Sequence, residues 1–237
     1  MRVLVIPDVH LKPWMFWRAE ELMKEEDITQ AVCLMDIPDD WGQEFNLELY
    51  RETYDAAISF AKRHPETLWC YGNHDVCYLW DKRESGYSGL ARNLVCQKLG
   101  QLKAALPSQE KLAFIHRIDD VLFSHGGLIT PFLEEQIPEE ARQGSLDELL
   151  AYINSLGPSS LWKDVSPIWA RPQDWPERLY GKDTYLQVVG HTPLRQIKRV
   201  PGMISCDVFS TDRERKPIGS CEYLLLDTVS WEHEGRR

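Results

Sequence analysis

Apolar positions recur along the first third of the chain with two alternating periods. Val3 to Ile6 is a continuous apolar run after Arg2, the pattern of a strand over 2–6 buried on both faces. Over 14–26, Trp14, Trp17, Ala19, Leu22 and Met23 recur at helical spacing, with Glu20, Glu21, Lys24 and Glu25 on the other side, which predicts a helix with the first set facing inward. Residues 30–35 form a second apolar strand. A longer helical pattern covers 46–63 through Leu49, Tyr54, Ala57, Ile58 and Ala61, and Pro65 stops it. Leu68 to Tyr71 is a third strand. The order β-α-β-α-β predicts a parallel sheet, whose ligands collect at the carboxyl ends of the strands.

The rest reads as richer in strands. Lys111–Ile118 and Val121–Ser124 flank Asp119-Asp120 and predict a hairpin. Residues 128–161 are mostly polar and helical, with Leu146, Leu149, Leu150 and Ile153 on one face, so a helical insert or lid is expected around 128–168. Tyr185–Val189 predicts another strand. Met203–Phe209 and Glu222–Asp227 read as a final pair, joined by a charged loop. Residues 231–237 are polar and expected to fray.

Composition adds limits. The 237 residues carry a formal charge of -10, so the chain has no electrostatic footprint for DNA, RNA or anionic lipid. Phosphate chemistry would then need positive charge from bound cations. No apolar run reaches the ~20 residues of a membrane span. The short run before Pro7 is not a signal peptide, and the six cysteines form no CxxC pair, so a cytoplasmic protein is expected. Cys33, Cys70 and Cys206 sit in apolar runs and read as buried thiols.

Polar residues that can bind metals stand at five strand ends. Asp8 and His10 follow the first strand, Asp36 the second, and Gly72-Asn73-His74-Asp75 the third. Ser124-His125-Gly126-Gly127 follows the hairpin, and Gly190-His191-Thr192-Pro193 follows 185–189. Borderline divalent metals accept carboxylate and imidazole together. Asp36, with two carboxylate oxygens, is the candidate bridge between two ions. Asn73 adds a neutral oxygen, and the glycines allow sharp turns and close approach. Taken singly, each motif is more simply a turn or a structural histidine. His64, His116 and His233 keep that structural reading, since none sits beside glycine at a strand end.

Together these motifs resemble the calcineurin-like metallophosphoesterase superfamily over nearly the whole chain. Ser-His-Gly-Gly and Gly-His-Thr-Pro look like the phosphoprotein phosphatase branch, with its bacterial and phage members and the dinucleoside tetraphosphate hydrolases. The resemblance implies a single domain over 1–237, built as a four-layer α-β-β-α sandwich. It implies one metal on Asp8, His10 and Asp36, and a second on Asp36, Asn73, His125 and His191. Manganese comes first among Mn, Fe, Zn, Ni and Co. It also implies hydrolysis of a phosphate ester or anhydride by a hydroxide bridging the two metals. His74 would be the general acid and Asp75 would orient its imidazole. Asp39 would be structural. Trp169-Ala170-Arg171-Pro172 is similar to a segment whose arginine meets phosphate.

Three positions depart from the family pattern. Met35 and Leu11 stand where glycine is usual, and Asp40 stands where the branch has a phosphate-binding arginine. Losing that clamp disfavours a dianionic monoester more than a monoanionic diester. Lys12, Arg18 or Arg51 would have to compensate. A small phosphodiester or nucleotide is therefore the expected substrate. A Ser/Thr protein phosphatase and a non-catalytic scaffold are the alternatives.

Overall fold

A computed structural model describes residues 1–231; the expectation for the tail, and His233, fall outside the described residues from 232 onward. Ten strands among these residues form two five-stranded sheets. The first has the order β10-β1-β2-β3-β4, from Leu224–Asp227, Arg2–Ile6, Gln30–Cys33, Leu68–Cys70 and Leu112–Ala113. The second has the order β5-β6-β7-β9-β8, from Ile115–Ile118, Val121–Ser124, Leu186–Val189, Met203–Ser205 and Lys198–Val200. Each sheet is mixed: β1 to β4 are parallel, as are β6, β7 and β9, while β10, β5 and β8 run antiparallel to their neighbours.

The period of two explains the layering. In β1, Val3 and Val5 point at the second sheet, where they meet Val121, Phe123, Val188 and Ile204. Leu4 and Ile6 point the other way, against Phe16, Tyr54 and Trp69. Helices α1 (Trp14–Glu25), α2 (Leu47–Arg63) and α4 (Arg92–Ala105) supply the layer on that side. Ile115 and Leu122 turn to the opposite outer layer, with α5 (Thr130–Gln136), α7 (Leu146–Asn154) and α8 (Pro158–Leu161). The expected four-layer sandwich is present. The helical stretch after 128, which also contains α6 (Glu139–Arg142), therefore buries Leu149, Leu150 and Ile153 in a core and is an outer layer of the fold.

Several expectations change. In α1 the inward stripe is Met15, Phe16, Ala19 and Met23, whereas Trp14 and Trp17 are exposed by 42% and 49%. The run Lys111–Ile118 is two strands: β4 joins the first sheet, and only β5 makes the hairpin with β6. Met203–Phe209 and Glu222–Asp227 are not partners. β9 lies beside β7, while β10 crosses to the first sheet and pairs with β1, Val3 opposite Leu226. Helix α3 (Asn73–Leu79) and α4 occupy a stretch to which the sequence reading gives no element. No helix among the described residues is long and apolar enough to cross a membrane.

Candidate metal centre and active site

The parallel strands of both sheets end on one edge, and all six proposed ligands meet there. His125 Nε2 lies 3.1 Å from Asp36 Oδ2, 3.0 Å from Asn73 Oδ1 and 3.2 Å from His191 Nδ1. Asp8, His10 and Asp36 form a second group, and in each group the ligand atoms lie within 4.8 Å of one another. Asp36 belongs to both groups.

The tautomers suit metal binding. His125 Nδ1 is 3.0 Å from the Leu34 carbonyl, and His10 Nδ1 is 2.9 Å from the Asp39 carbonyl. A carbonyl only accepts, so each Nδ1 donates and each Nε2 faces the site, the atom that can give its lone pair to a metal once it is deprotonated. Two buried polar atoms there have no hydrogen-bond partner, Asp8 Oδ2 and His191 Nε2. Orphaned atoms of this kind are costly without an ion or water to satisfy them. The donors therefore fit divalent cations.

Close approach explains two glycines. A Cβ on Gly72 would sit 1.9 Å from Asp36 Oδ1, and one on Gly190 would sit 2.1 Å from Asp8 Oδ2. Elsewhere the chain tolerates strain. His10, Leu11, Met35, Asp36, Asp39 and His191 all have positive φ, a clustering of the kind found at functional sites. Leu11 (φ 56°) and Met35 (φ 58°) thus occupy the left-handed region where glycine is at ease.

The electrostatics follow from crowding buried charges. Burial alone would lower the His125 imidazole, but Asp36 and Asp8 outweigh it and lift it to about 10. Burial would raise Asp36, yet the His125 and His74 rings hold it well below the usual carboxylate range. Asp8 is pushed up, by burial and then by Asp207. Burial and the His125 charge keep His191 neutral.

His74 borders the cluster, and its ring packs edge-on against His10 at 5.3 Å. Burial would lower its imidazole, but Asp36 and Asp39 lift it to about 9. Asp75 does not touch the ring. Its carboxylate accepts the backbone N–H groups of Asp36 (2.8 Å), Ile37 (3.1 Å) and Gly72 (3.0 Å), so it ties the β2 end to the β3 end. The group that faces His74 Nδ1 is Asp39, through Oδ2 at 3.0 Å. The assignment of the orienting role to Asp75 is corrected accordingly: three N–H donors already claim its two oxygens.

A cavity of about 220 Å³ opens over these residues, lined also by Trp41, Glu84, Trp169 and Arg171. Arg171 Nη1 donates to the His191 carbonyl and to Thr192 Oγ1, which fixes it at the rim. The Asp40 charge is neutralised locally. Lys12 Nζ lies 3.2 Å from Oδ2, and the Thr211 hydroxyl and the Trp41 N–H both donate to Oδ1. Arg18 and Arg51 pair with glutamates on exposed helix surfaces and do not line the cavity.

Sequence reasoning misses Asp207. It follows β9, lines the cavity, is buried, and accepts the Ser210 hydroxyl at 2.8 Å. The apolar run Met203–Phe209 continues past it and hides a sixth strand end.

The model of the calcineurin-like phosphoesterase family matches residues 1–217. Among solved structures, a cold-active protein-tyrosine phosphatase of a psychrophilic Shewanella species matches with a TM-score of 0.61 and 18% identity, over 95% of this chain and 75% of that one. A second structure of a cold-active protein tyrosine phosphatase matches with a TM-score of 0.55 and 19% identity, over 95% and 73% of the two chains. At these identities the likeness shows the fold. No curated protein matches the sequence. With the family model spanning nearly the whole chain, the protein belongs to the calcineurin-like phosphoesterases and is a metallophosphoesterase, a hydrolase of phosphoric esters.

Proposed function

We propose that the protein hydrolyses a small phosphodiester or nucleotide substrate. One cation would be held by Asp8, His10 and Asp36, the other by Asp36, Asn73, His125 and His191. The observation that carries this reading is the sharing of Asp36 between the two donor groups. Two divalent ions would supply the positive charge that this acidic pocket lacks, and would acidify bound water. Manganese is the first choice, because carboxylate, amide and imidazole donors together suit a fairly hard divalent ion.

The chain's own residues do the rest. Arg171 binds a non-bridging oxygen and offsets charge that develops on it. His74, as imidazolium, protonates the leaving oxygen while the P–O bond breaks. The preference for a diester follows from the lining. Among the described residues Arg171 is the one arginine or lysine that lines the cavity, while Asp39, Glu84 and Asp207 line it without a lysine or arginine of their own there. A second phosphate charge would be repelled there. We read the whole chain as one domain, because both sheets supply ligands to the same cluster.

The test compares methyl p-nitrophenyl phosphate with p-nitrophenyl phosphate on manganese-loaded protein. A higher kcat/KM for the diester is expected, and a monoester preference overturns the substrate reading. Asp36→Asn is expected to lose bound metal, measured by elemental analysis; full metal content in that variant overturns the shared-ligand assignment.

A further inference from the structure

Asp39 is the centre of a buried hydrogen-bond network that ends on His74. Its Oδ1 accepts two phenol O–H groups, from Tyr50 on α2 at 2.6 Å and from Tyr78 on α3 at 2.5 Å. Its Oδ2 faces His74 Nδ1. Both tyrosines are fully buried. The Tyr78 oxygen also accepts the Ser88 N–H at 2.9 Å, so its own proton is directed to Asp39. Burial, with the Asp39 charge second, pushes both phenols up, so both remain protonated donors.

The geometry has a purpose that packing alone does not require. A carboxylate has broad torsional freedom about its terminal bond. Two O–H groups on one oxygen remove that freedom and turn the other oxygen toward the imidazole. Tyr78 adds a link to the cavity wall. Ser88 belongs to the segment whose Glu84, Ser85 and Gly86 line the cavity, and a Cβ on Gly86 would lie 3.6 Å from the Asp39 Cβ. Tyr87 stacks on Tyr78 at 4.5 Å and holds that segment down.

We propose that Tyr50 and Tyr78 are positioning residues for His74: by occupying Oδ1 of Asp39 they leave Oδ2 for Nδ1, and so aim the ring's other N–H at the leaving oxygen. The proton passes from His74 to that oxygen as the P–O bond breaks, and the tyrosines keep theirs. This inference rests on His74 as the general acid.

Tyr50→Phe and Tyr78→Phe keep the ring volume and delete the hydroxyl. The substrates are methyl aryl phosphodiesters whose phenols range from good to poor leaving groups, hydrolysed by manganese-loaded protein. Each variant is expected to lower kcat about tenfold for the poorest leaving group and less than about twofold for p-nitrophenol, with KM and metal content unchanged. In an Asp39→Asn background, Tyr78→Phe is expected to have no further effect, because both act on one link. A loss equal for all leaving groups, or a full loss in the Asp39→Asn background, overturns the inference. Two independent hydroxyls keep the test available if one variant fails to fold. His74→Asn separates the two claims. If its leaving-group series is flat, the general-acid reading fails and the inference with it. If it is steep while the tyrosine variants match the parent, the inference alone fails.

Discussion

Asp39 serves two histidines at once: its carbonyl oxygen accepts from His10 Nδ1 at 2.9 Å, and its Oδ2 faces His74 Nδ1 at 3.0 Å. Its positive φ of 65° turns the carbonyl and the side chain toward different rings. One residue thus orients a proposed metal ligand and the proposed proton donor.

Asp39 and Asp75 should then separate cleanly by mutation. Asp39→Asn is expected to lower kcat by about 10- to 100-fold with the melting temperature little changed. Asp75→Ala should instead destabilise the fold, by on the order of 3 kcal/mol, because three buried N–H groups lose their acceptor. Urea melts and steady-state kinetics on both variants check this. An Asp75→Ala protein as stable as the parent would contradict the role given to those three bonds.

Metal uptake should release protons. Without a cation, His125 is lifted to about 10 and carries a proton near neutral pH. Binding must displace that proton, so at least one should be released per protein, and affinity should climb between roughly pH 6 and 9. Calorimetric titration with manganese in buffers of different ionisation enthalpy measures the release. Heats independent of the buffer would count against it.

His116 should set part of the acid limb of stability. Its Nε2 donates to the Trp69 carbonyl at 3.0 Å, and burial lowers its pKa from 6.5 to about 4. The folded state therefore binds the proton less readily than the unfolded chain. Stability is complete above about pH 6.5 and falls as pH drops toward 4, by on the order of 2–3 kcal/mol at the bottom of that window. His116→Gln keeps a donor for Trp69 and should lose less of its melting temperature between pH 7 and pH 5 than the parent. Parallel curves for the two proteins would remove His116 from the acid limb.

Met35 presents two opposing terms. Its left-handed φ costs about 1–2 kcal/mol that glycine would not incur. Its side chain is fully buried, and deleting such a side chain costs about 2–5 kcal/mol. Met35→Gly should therefore be less stable than the parent by roughly 1–3 kcal/mol, despite restoring the usual family residue. A gain in denaturant midpoint would show that strain dominates.

The proposed ligand set was legible because its members follow short apolar runs and all but Asp36 sit beside glycine or within two residues of another proposed ligand. The pairing of Asp39 with His74 was not. It depends on how the loop after β2 meets the start of α3, a tertiary relation that spacing does not encode. Asp75 is adjacent in sequence to His74 and invites the wrong pairing. The strand run 111–118 reads as continuous because Leu112, Phe114 and Ile115 are all apolar, yet the chain changes sheets at Phe114. The stretch 76–110 is given no element by the sequence reading, although Val95, Leu99 and Leu102, all buried in α4, stand at helical spacing there. The exposed tryptophans of α1 show the opposite limit, since size and apolarity alone do not fix which side of a helix faces the core.

The crossing of β10 to β1 has a consequence for biosynthesis. β1 is translated before β10, so one of its two flanking strands does not exist until Leu224–Asp227 have been made. Asp8 likewise waits for the His191 N–H, its partner at 2.7 Å. A nascent chain therefore holds that β1 edge unpaired until β10 emerges, and the phosphoesterase centre can close only once His191 has been translated.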